Sequence, residues 1–226
     1  MWQKIFRKLL TPFIKPIFKI YLSSNKEYKS NPFSLTILKG VFHPGLFFSS
    51  KYLLKHLSKY DFNNKRVIEV GAGSGLISFH LALHAKEVLA IELSDIAVQG
   101  LIINQKKNKH LLKQNVLKIV KSNLFEKLEK SEFDYIIVNP PYFPNEARSE
   151  EELAWNCGKN FEYFFAFFEN VKFFMNKNSK ILMVLSDQCN INKIKQIAHE
   201  NKFNVAIKDK KSFLIENNLI LQFALS

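Results

Sequence analysis

The stretch Arg66–Glu92 reads RVIEVGAGSGLISFHLALHAKEVLAIE. Its first five residues, RVIEV, form a short Val/Ile-rich run of the kind that packs as a buried strand. Gly71, Gly73 and Gly75 then interrupt it. Lacking Cβ, they let the backbone turn tightly and approach a ligand closely. Leu76–Ala85 carries its apolar residues at helical spacing, and Glu87–Glu92 (EVLAIE) is a second apolar run. Strand, glycine turn, helix and strand in this order predict a βαβ unit with parallel strands. Working outward, the alternation continues. Ser94 or Asp95 is placed to cap a following helix. Val116–Lys121 and Phe133–Val138 read as third and fourth strands, and a helix is expected from about Phe161 to Met175. Strand Ile181–Ser186, helix Ile191–Glu200 and strands near Asn204–Lys208 and Leu219–Ala224 complete the pattern. The last two strands have only a short connection and should pair antiparallel. The expected fold is α/β: a doubly wound, mostly parallel seven-stranded sheet, covered on both faces, with a C-terminal antiparallel strand.

At 226 residues, with 47% apolar and 14% aromatic residues, the chain suits one folded domain and not a disordered one. Cys157 and Cys189 lie 32 positions apart with no CxxC. That argues against a disulfide framework or zinc site and fits a reducing, cytoplasmic compartment. The formal charge of +13 favours anionic partners such as RNA, DNA or a membrane surface, though an AT-rich genome would also give a Lys-rich chain. Residues 1–40 are expected to be a basic, aromatic extension and residues 41–226 the folded domain. The opening MWQKIFRKLLTPFIKPIFKIYL has no apolar run long enough to span a bilayer, and Pro12 and Pro16 break it. No small-residue cleavage site follows, so a signal peptide is not expected. It either packs on its own domain or lies on an anionic surface; both readings stay open.

In doubly wound sheets, ligands bind beyond the carboxyl ends of the strands, where the winding reverses. After the first strand of the βαβ unit comes EVGAGSG, Glu69–Gly75, with G-x-G-x-G in place of the dinucleotide spacing G-x-G-x-x-G. The acid two positions before the first glycine would repel a pyrophosphate and suits a cationic amine. Glu92 closes the second strand, 21 residues past Gly71, where an acid can accept from ribose hydroxyls. An adenosine ligand without phosphates and with a cationic head, S-adenosylmethionine, fits this pair better than NAD. The fourth strand runs into DYIIVNPPYFP, Asp134–Pro144. Two prolines fix two φ angles, remove two donors and push Asn139 out of the helical region. The product is a rigid extended shelf that carries one amide and one aromatic ring.

With EVGAGSG, Glu92 and NPPY in order, residues 40–226 resemble the class I S-adenosylmethionine-dependent methyltransferases. Within these they resemble the NPPY N-methyltransferases, and most of all the HemK/PrmC-type glutamine methyltransferases. KSNLFEKL (Lys121–Leu128), AWNCGKN (Ala154–Asn160) and GVFHP (Gly40–Pro44) carry the closer match. Asn123 stands where that family usually has an aspartate near the adenine, Gly158 is one glycine where two are usual, and Gly45-Leu46-Phe47 replaces a usual acid. The resemblance implies S-adenosylmethionine bound by Glu69, Gly71, Gly73, Gly75, Glu92, Asn123 and Asn139. It implies chemistry at Asn139, Pro140, Pro141 and Tyr142, with no metal.

The chemistry is consistent. A planar NH2 has a delocalised lone pair; if the Asn139 side-chain oxygen and the Pro140 carbonyl each accept one N–H, that lone pair is aimed at the methyl. Pro141 stiffens the shelf and Tyr142 offers a stacking face. The acceptor is expected to be a protein glutamine, of release-factor type. The alternative is an RNA or DNA base, adenine N6 or guanine N2, which a flipped nucleotide would present in the same way. A non-catalytic binding module is the reading from another class.

Other candidates read as structural. His80 and His84 share a helix face but lack a third metal ligand. His43 is a lone histidine near the expected cofactor mouth. Phe161, Phe164, Phe165, Phe168, Val171 and Met175 follow helical spacing and are expected to pack on the sheet. Phe143, Trp155 and Glu146–Glu152 fall in a loop expected to help form a lid, and Cys157 has no assigned chemistry.

Overall fold

A computed structural model describes residues 23–45, 48–213 and 217–226; the N-terminal basic segment read above as residues 1–22 lies outside the described residues. Two strands, β1 (Lys26–Ser30) and β2 (Phe33–Ile37), form an antiparallel hairpin. Helix α1 (Phe48–Leu57) leads to β3 (Arg66–Val70), α2 (Leu76–Leu81), β4 (Glu87–Glu92) and α3 (Asp95–Lys107). Next come β5 (Leu117–Lys121), β6 (Phe133–Val138), short α4 (Glu150–Leu153) and α5 (Glu162–Val171). The chain ends with β7 (Met175–Ser186), α6 (Ile191–Glu200), β8 (Phe203–Ser212) and β9 (Asn217–Leu225).

Seven strands make one sheet in the order β5-β4-β3-β6-β7-β9-β8. Strands β3 to β7 pair in parallel, and β9 inserts antiparallel between β7 and β8. This is the expected doubly wound sheet with its antiparallel C-terminal strand. The even–odd alternation of the strands divides the core in two. Val67, Ile137, Leu182 and Ile220 pack with α1, α2, α3 and the hairpin. Ile68, Ile136, Ile181 and Leu221 pack with α5 and α6. Both faces are covered, which is why the central strands read as apolar runs without polar alternation.

The hairpin is the element that the sequence reading did not find. Phe33, Leu35 and Ile37 alternate inward at the strand period and are buried, so the signal was present in a segment treated as an extension. What seats the hairpin is α3. Asn104 Oδ1 accepts from Thr36 N at 2.7 Å while its Nδ2 donates to Thr36 O at 3.0 Å. One turn on, Asn108 does the same to Ser34, accepting at 3.2 Å and donating at 3.0 Å. Two amides at i and i+4 thus stand in for a neighbouring strand along the open edge of β2. Asn104 Nδ2 also reaches Ser74 O at 3.3 Å, which ties the hairpin to the glycine turn.

The Phe-rich helix differs from its expected register. Phe164, Phe167 and Phe168 are fully buried, whereas Phe165, assigned to the core by spacing, is 39% exposed. Helix α5 begins at Glu162 and gives way to a 3-10 turn at Lys172–Phe174 before β7 starts at Met175. Two adjacent phenylalanines face the sheet, so a narrow i, i+3, i+4 stripe could not choose between Phe165 and Phe167.

Asn104→Ala should cost about 1–3 kcal/mol by orphaning buried backbone groups. Thermal unfolding should show this as a fall in Tm of roughly 3–10 °C. Gln99→Ala, exposed on the same helix, should move Tm by less than about 2 °C.

Candidate active site

The winding reverses between β3 and β6, and their parallel register sets Val70 opposite Val138. The next residues, Gly71 and Asn139, therefore leave the sheet side by side, at the position where such folds bind ligands. A cavity of about 1380 Å³ opens there, lined by Glu69, Gly71, Gly73, Glu92, Asn123 and the Asn139–Tyr142 shelf. Two segments far apart in sequence are thus brought to one wall.

Each glycine has a different reason to be glycine. Gly71 and Gly73 hold φ of +74° and +52°, and a Cβ on either would meet nothing within 4 Å. Their backbone faces open cavity. Gly75, at φ +84°, does not line the cavity; a Cβ there would sit 2.7 Å from Leu101 Cδ2 and from a Phe79 ring carbon. The third glycine of the motif seats α2 against α3 and stands outside the cavity lining.

The turn is held by the second carboxylate. Glu92 Oε2 accepts from Gly73 N at 2.7 Å, and Oε1 accepts from Leu93 N at 2.8 Å and Ser94 N at 3.1 Å. Three of the roughly four lone-pair directions of a carboxylate are engaged, and one on Oε2 is left to accept a further hydrogen bond. Asn123 donates through Nδ2 to Glu126 Oε1 at 2.7 Å, leaving its oxygen as the acceptor on that wall. Glu69 differs in kind. It is buried against Ser78, whose hydroxyl donates to it, and burial, reinforced by nearby Glu92, pushes its carboxyl up to about 8. At neutral pH Glu69 holds its proton, and a cation placed beside it would favour the charged form.

Beside the turn, Asn139 Nδ2 donates to Ser50 Oγ at 3.0 Å and Ser49 Oγ at 3.4 Å, in the first turn of α1. Beyond the shelf the chain doubles back. Tyr142 N and Phe143 N donate to Trp155 O at 3.1 and 2.9 Å, and Cys157 N donates to Phe143 O at 2.9 Å. Residues 142–158 thereby form a strap across the mouth, with Trp155 tilted against Phe42 at 5.1 Å between ring centroids. Tyr163, half-buried with its hydroxyl pKa raised by desolvation, and Phe42, Ser49 and Ser50 complete the lining. None of these four was singled out in the sequence. Tyr163 sits inside an aromatic run, and the two serines act only through contact with a residue about 90 positions away.

The remaining candidates fall outside the cavity or carry no chemistry. His43 is buried, and its Nδ1 accepts from Gly45 N at 3.0 Å. Burial holds its imidazole neutral. His80 Nε2 pairs with Ser30 Oγ at 2.9 Å and helps pin the hairpin. Cys157 is buried, and desolvation lifts its thiol to about 11, away from nucleophilic use.

Comparison with known proteins agrees with this geometry. The model of the Methyltransferase small domain matches residues 33–213. The chain belongs to that family. This methyltransferase is 39% identical over 102 residues to a putative protein N5-glutamine methyltransferase of Methanocaldococcus jannaschii, covering 44% of this chain and 46% of the relative. It is 35% identical over 103 residues to a release factor glutamine methyltransferase of Fusobacterium nucleatum, covering 42% and 26%. The chain spans less than half the length of these curated relatives. Among solved structures, the T. thermophilus 16S rRNA N2 G1207 methyltransferase shares its fold with a TM-score of 0.65 at 20% identity, covering 89% of this chain and 50% of that one. No helix among the described residues is long and apolar enough to cross a membrane.

The Glu69 carboxyl has a consequence for stability. Between its ordinary value of 4.5 and about 8, the native state holds a proton that the unfolded chain has released. Native stability should therefore fall as pH rises through that window and level off above it. Ligand-free protein melted at pH 6 and pH 9 should lose several degrees more than Glu69→Gln does between the same two points.

Proposed function

We propose that this methyltransferase uses S-adenosylmethionine to methylate a planar NH2 group, and that the acceptor is a glutamine side-chain amide of a protein, of release-factor type. The observation that carries the reading is the convergence of the Gly71–Gly73 turn and the Asn139–Tyr142 shelf in one cavity. The residues fit the methyl donor. Gly71 and Gly73 leave space where any side chain would intrude, Glu92 keeps an acceptor for a ribose hydroxyl, and Glu69 can ionise opposite an ammonium. When bound, S-adenosylmethionine supplies a methyl group made electrophilic by a sulfonium.

The rest is positioning by this chain. Asn139 Oδ1 accepts one acceptor N–H and the Pro140 carbonyl accepts the other, which draws the nitrogen toward tetrahedral and aims its lone pair. Tyr142 stacks on the planar group, and Pro141 holds the shelf rigid. The acceptor nitrogen loses a proton to water after it gains the methyl, so no strong base is required. The relatives named as glutamine methyltransferases support the protein acceptor. The net charge of +13 favours the second reading, an exocyclic amino group of an RNA or DNA base.

Tritiated S-adenosylmethionine and extract from a strain lacking this protein separate the two. Label lost to protease and kept through RNase is the expected result; label lost to RNase would make the acceptor a base. Asn139→Ala should lower transfer by roughly a hundredfold or more while S-adenosylmethionine still binds. Glu92→Ala should instead weaken that binding, read by calorimetry. Unchanged transfer in Asn139→Ala would sink the proposed chemistry.

A further inference from the structure

We propose that the chain carries a second ligand site, separate from the methyl-donor cavity, that takes a small organic phosphate with an aromatic body. A cavity of about 530 Å³ lies between the hairpin, α1 and α2, within the roughly 300–1,000 Å³ of small-molecule sites. Among the described residues Leu76, the first residue of α2, alone lines both cavities, so the two stand back to back. The lining divides by depth. Leu57, Leu76 and Leu81 are buried and give an apolar floor. Tyr28 and Tyr60 are half-buried, each with a ring to offer a planar body. Lys51, Lys55 and His84 are exposed and stand at the rim.

The charge at the rim selects the class of ligand. Lys51 and Lys55 stand one helical turn apart on α1, so their ammonium groups share one opening. Lys51 Nζ sits 5.6 Å from the centroid of the Tyr28 ring, a cation–π contact that holds it beside the cavity. Lys59, a further turn on, is matched by Asp209 at 3.0 Å, whereas among the described residues Lys51 and Lys55 form no ion pair. Asp61, the one acid among the described lining residues, has its Oδ1 turned onto Asn63, accepting from N and Nδ2 at 2.9 and 2.8 Å. His80, on the α2 side, is bonded to Ser30 Oγ at 2.9 Å, and burial keeps its imidazole neutral. Positive charge thus sits at the rim and not on the floor. Two ammonium groups without a protein counter-charge match a phosphate dianion, and the His84 ring stands beside them. Bare phosphate would leave the apolar floor and both tyrosines unused; an aromatic body fills them.

AMP and phenyl phosphate are the probes, added to the full chain saturated with S-adenosylhomocysteine so that the larger cavity is filled. In nitrogen-15 spectra the amides of Leu54, Leu83 and His84, which line this cavity, should shift saturably while those of Gly71 and Gly73 stay in place. By calorimetry adenosine, phenol and inorganic phosphate should each bind at least about tenfold more weakly, because each lacks one half of the ligand. Lys51→Glu combined with Lys55→Glu should weaken both probes by about tenfold or more. Its Tm should stay within about 2 °C of the parent, since both side chains are exposed. No saturable shift with either probe at millimolar concentration, or an unchanged affinity in the doubly substituted chain, would overturn the inference. Inorganic phosphate that binds as tightly as phenyl phosphate would overturn it too, by reducing the site to attraction toward a chain of net charge +13. If S-adenosylhomocysteine itself does not bind, the proposed function fails, and the Leu54, Leu83 and His84 shifts still decide the second site.

Discussion

Parallel pairing of β3 with β6 constrains everything else in the site. It is a pairing between strands whose connection is long, separated in sequence by the whole β4–α3–β5 excursion, and it is secured by burial on both faces. Val70 and Val138 contribute nothing to catalysis, yet their register puts the glycine turn and the amide shelf one residue beyond the sheet on the same side. A slip of one residue in either strand would reverse every side chain on it and send buried valines and isoleucines into the wrong layer. The register is therefore held by core packing on each face. The placement of Asn139 relative to Gly71 follows without any interaction between them.

Upon that frame the chain uses two carboxylates in opposite ways. Glu92 stays within reach of three backbone amides, so its charge is compensated before any ligand arrives, and it shapes the turn as well as offering an acceptor. Glu69 is bonded by Ser78 in a buried setting, where desolvation outweighs that bonding and keeps it protonated. The two acids thus differ in setting: Glu92 braces the turn through three backbone amides, and Glu69 is a buried carboxyl that desolvation keeps protonated. Neighbouring like charge reinforces the split, since an ionised Glu92 makes ionisation of Glu69 harder.

The parts that were legible in the sequence are those that local chemistry enforces. Strand runs buried on both faces, glycines at φ values other residues avoid, and prolines that forbid a helix all write themselves into residue type. Asn139, Glu69 and Glu92 could be singled out because strand ends in a doubly wound sheet are where ligands go. Four things were not legible, each for a stated reason. The hairpin was passed over because its alternating Phe33, Leu35 and Ile37 lie in a segment assigned to an extension, and the helical amides that seat it, Asn104 and Asn108, add no strand pattern of their own. Phe167 was mistaken for Phe165 because two adjacent phenylalanines pack inward where a single stripe was assumed. Gly75 looked identical to Gly71 and Gly73, although its lost Cβ makes room for Leu101 and Phe79 while theirs face open space. Ser50 gave no signal because a serine at a helix start has an ordinary capping explanation.

What the frame leaves open is the acceptor's larger body, and the reason is physical. In the proposed chemistry the reacting nitrogen meets Asn139, the Pro140 carbonyl and Tyr142, and a glutamine amide and a nucleobase amine are alike at that range. Discrimination between them has to come from surfaces farther out: the Phe42–Trp155 pair, the strap of residues 142–158, and whatever the basic exterior attracts. The strap is closed by backbone hydrogen bonds from Tyr142, Phe143 and Cys157, so its side chains can change without disturbing the shelf beneath. A scaffold of this kind separates the two problems. On the proposed reading the interior holds a nitrogen and a methyl group in reach of each other, and the rim selects which molecule carries that nitrogen. That separation explains how an rRNA guanine N2 methyltransferase can share this fold at 20% identity, and why such likeness by itself argues for the fold and not for the acceptor.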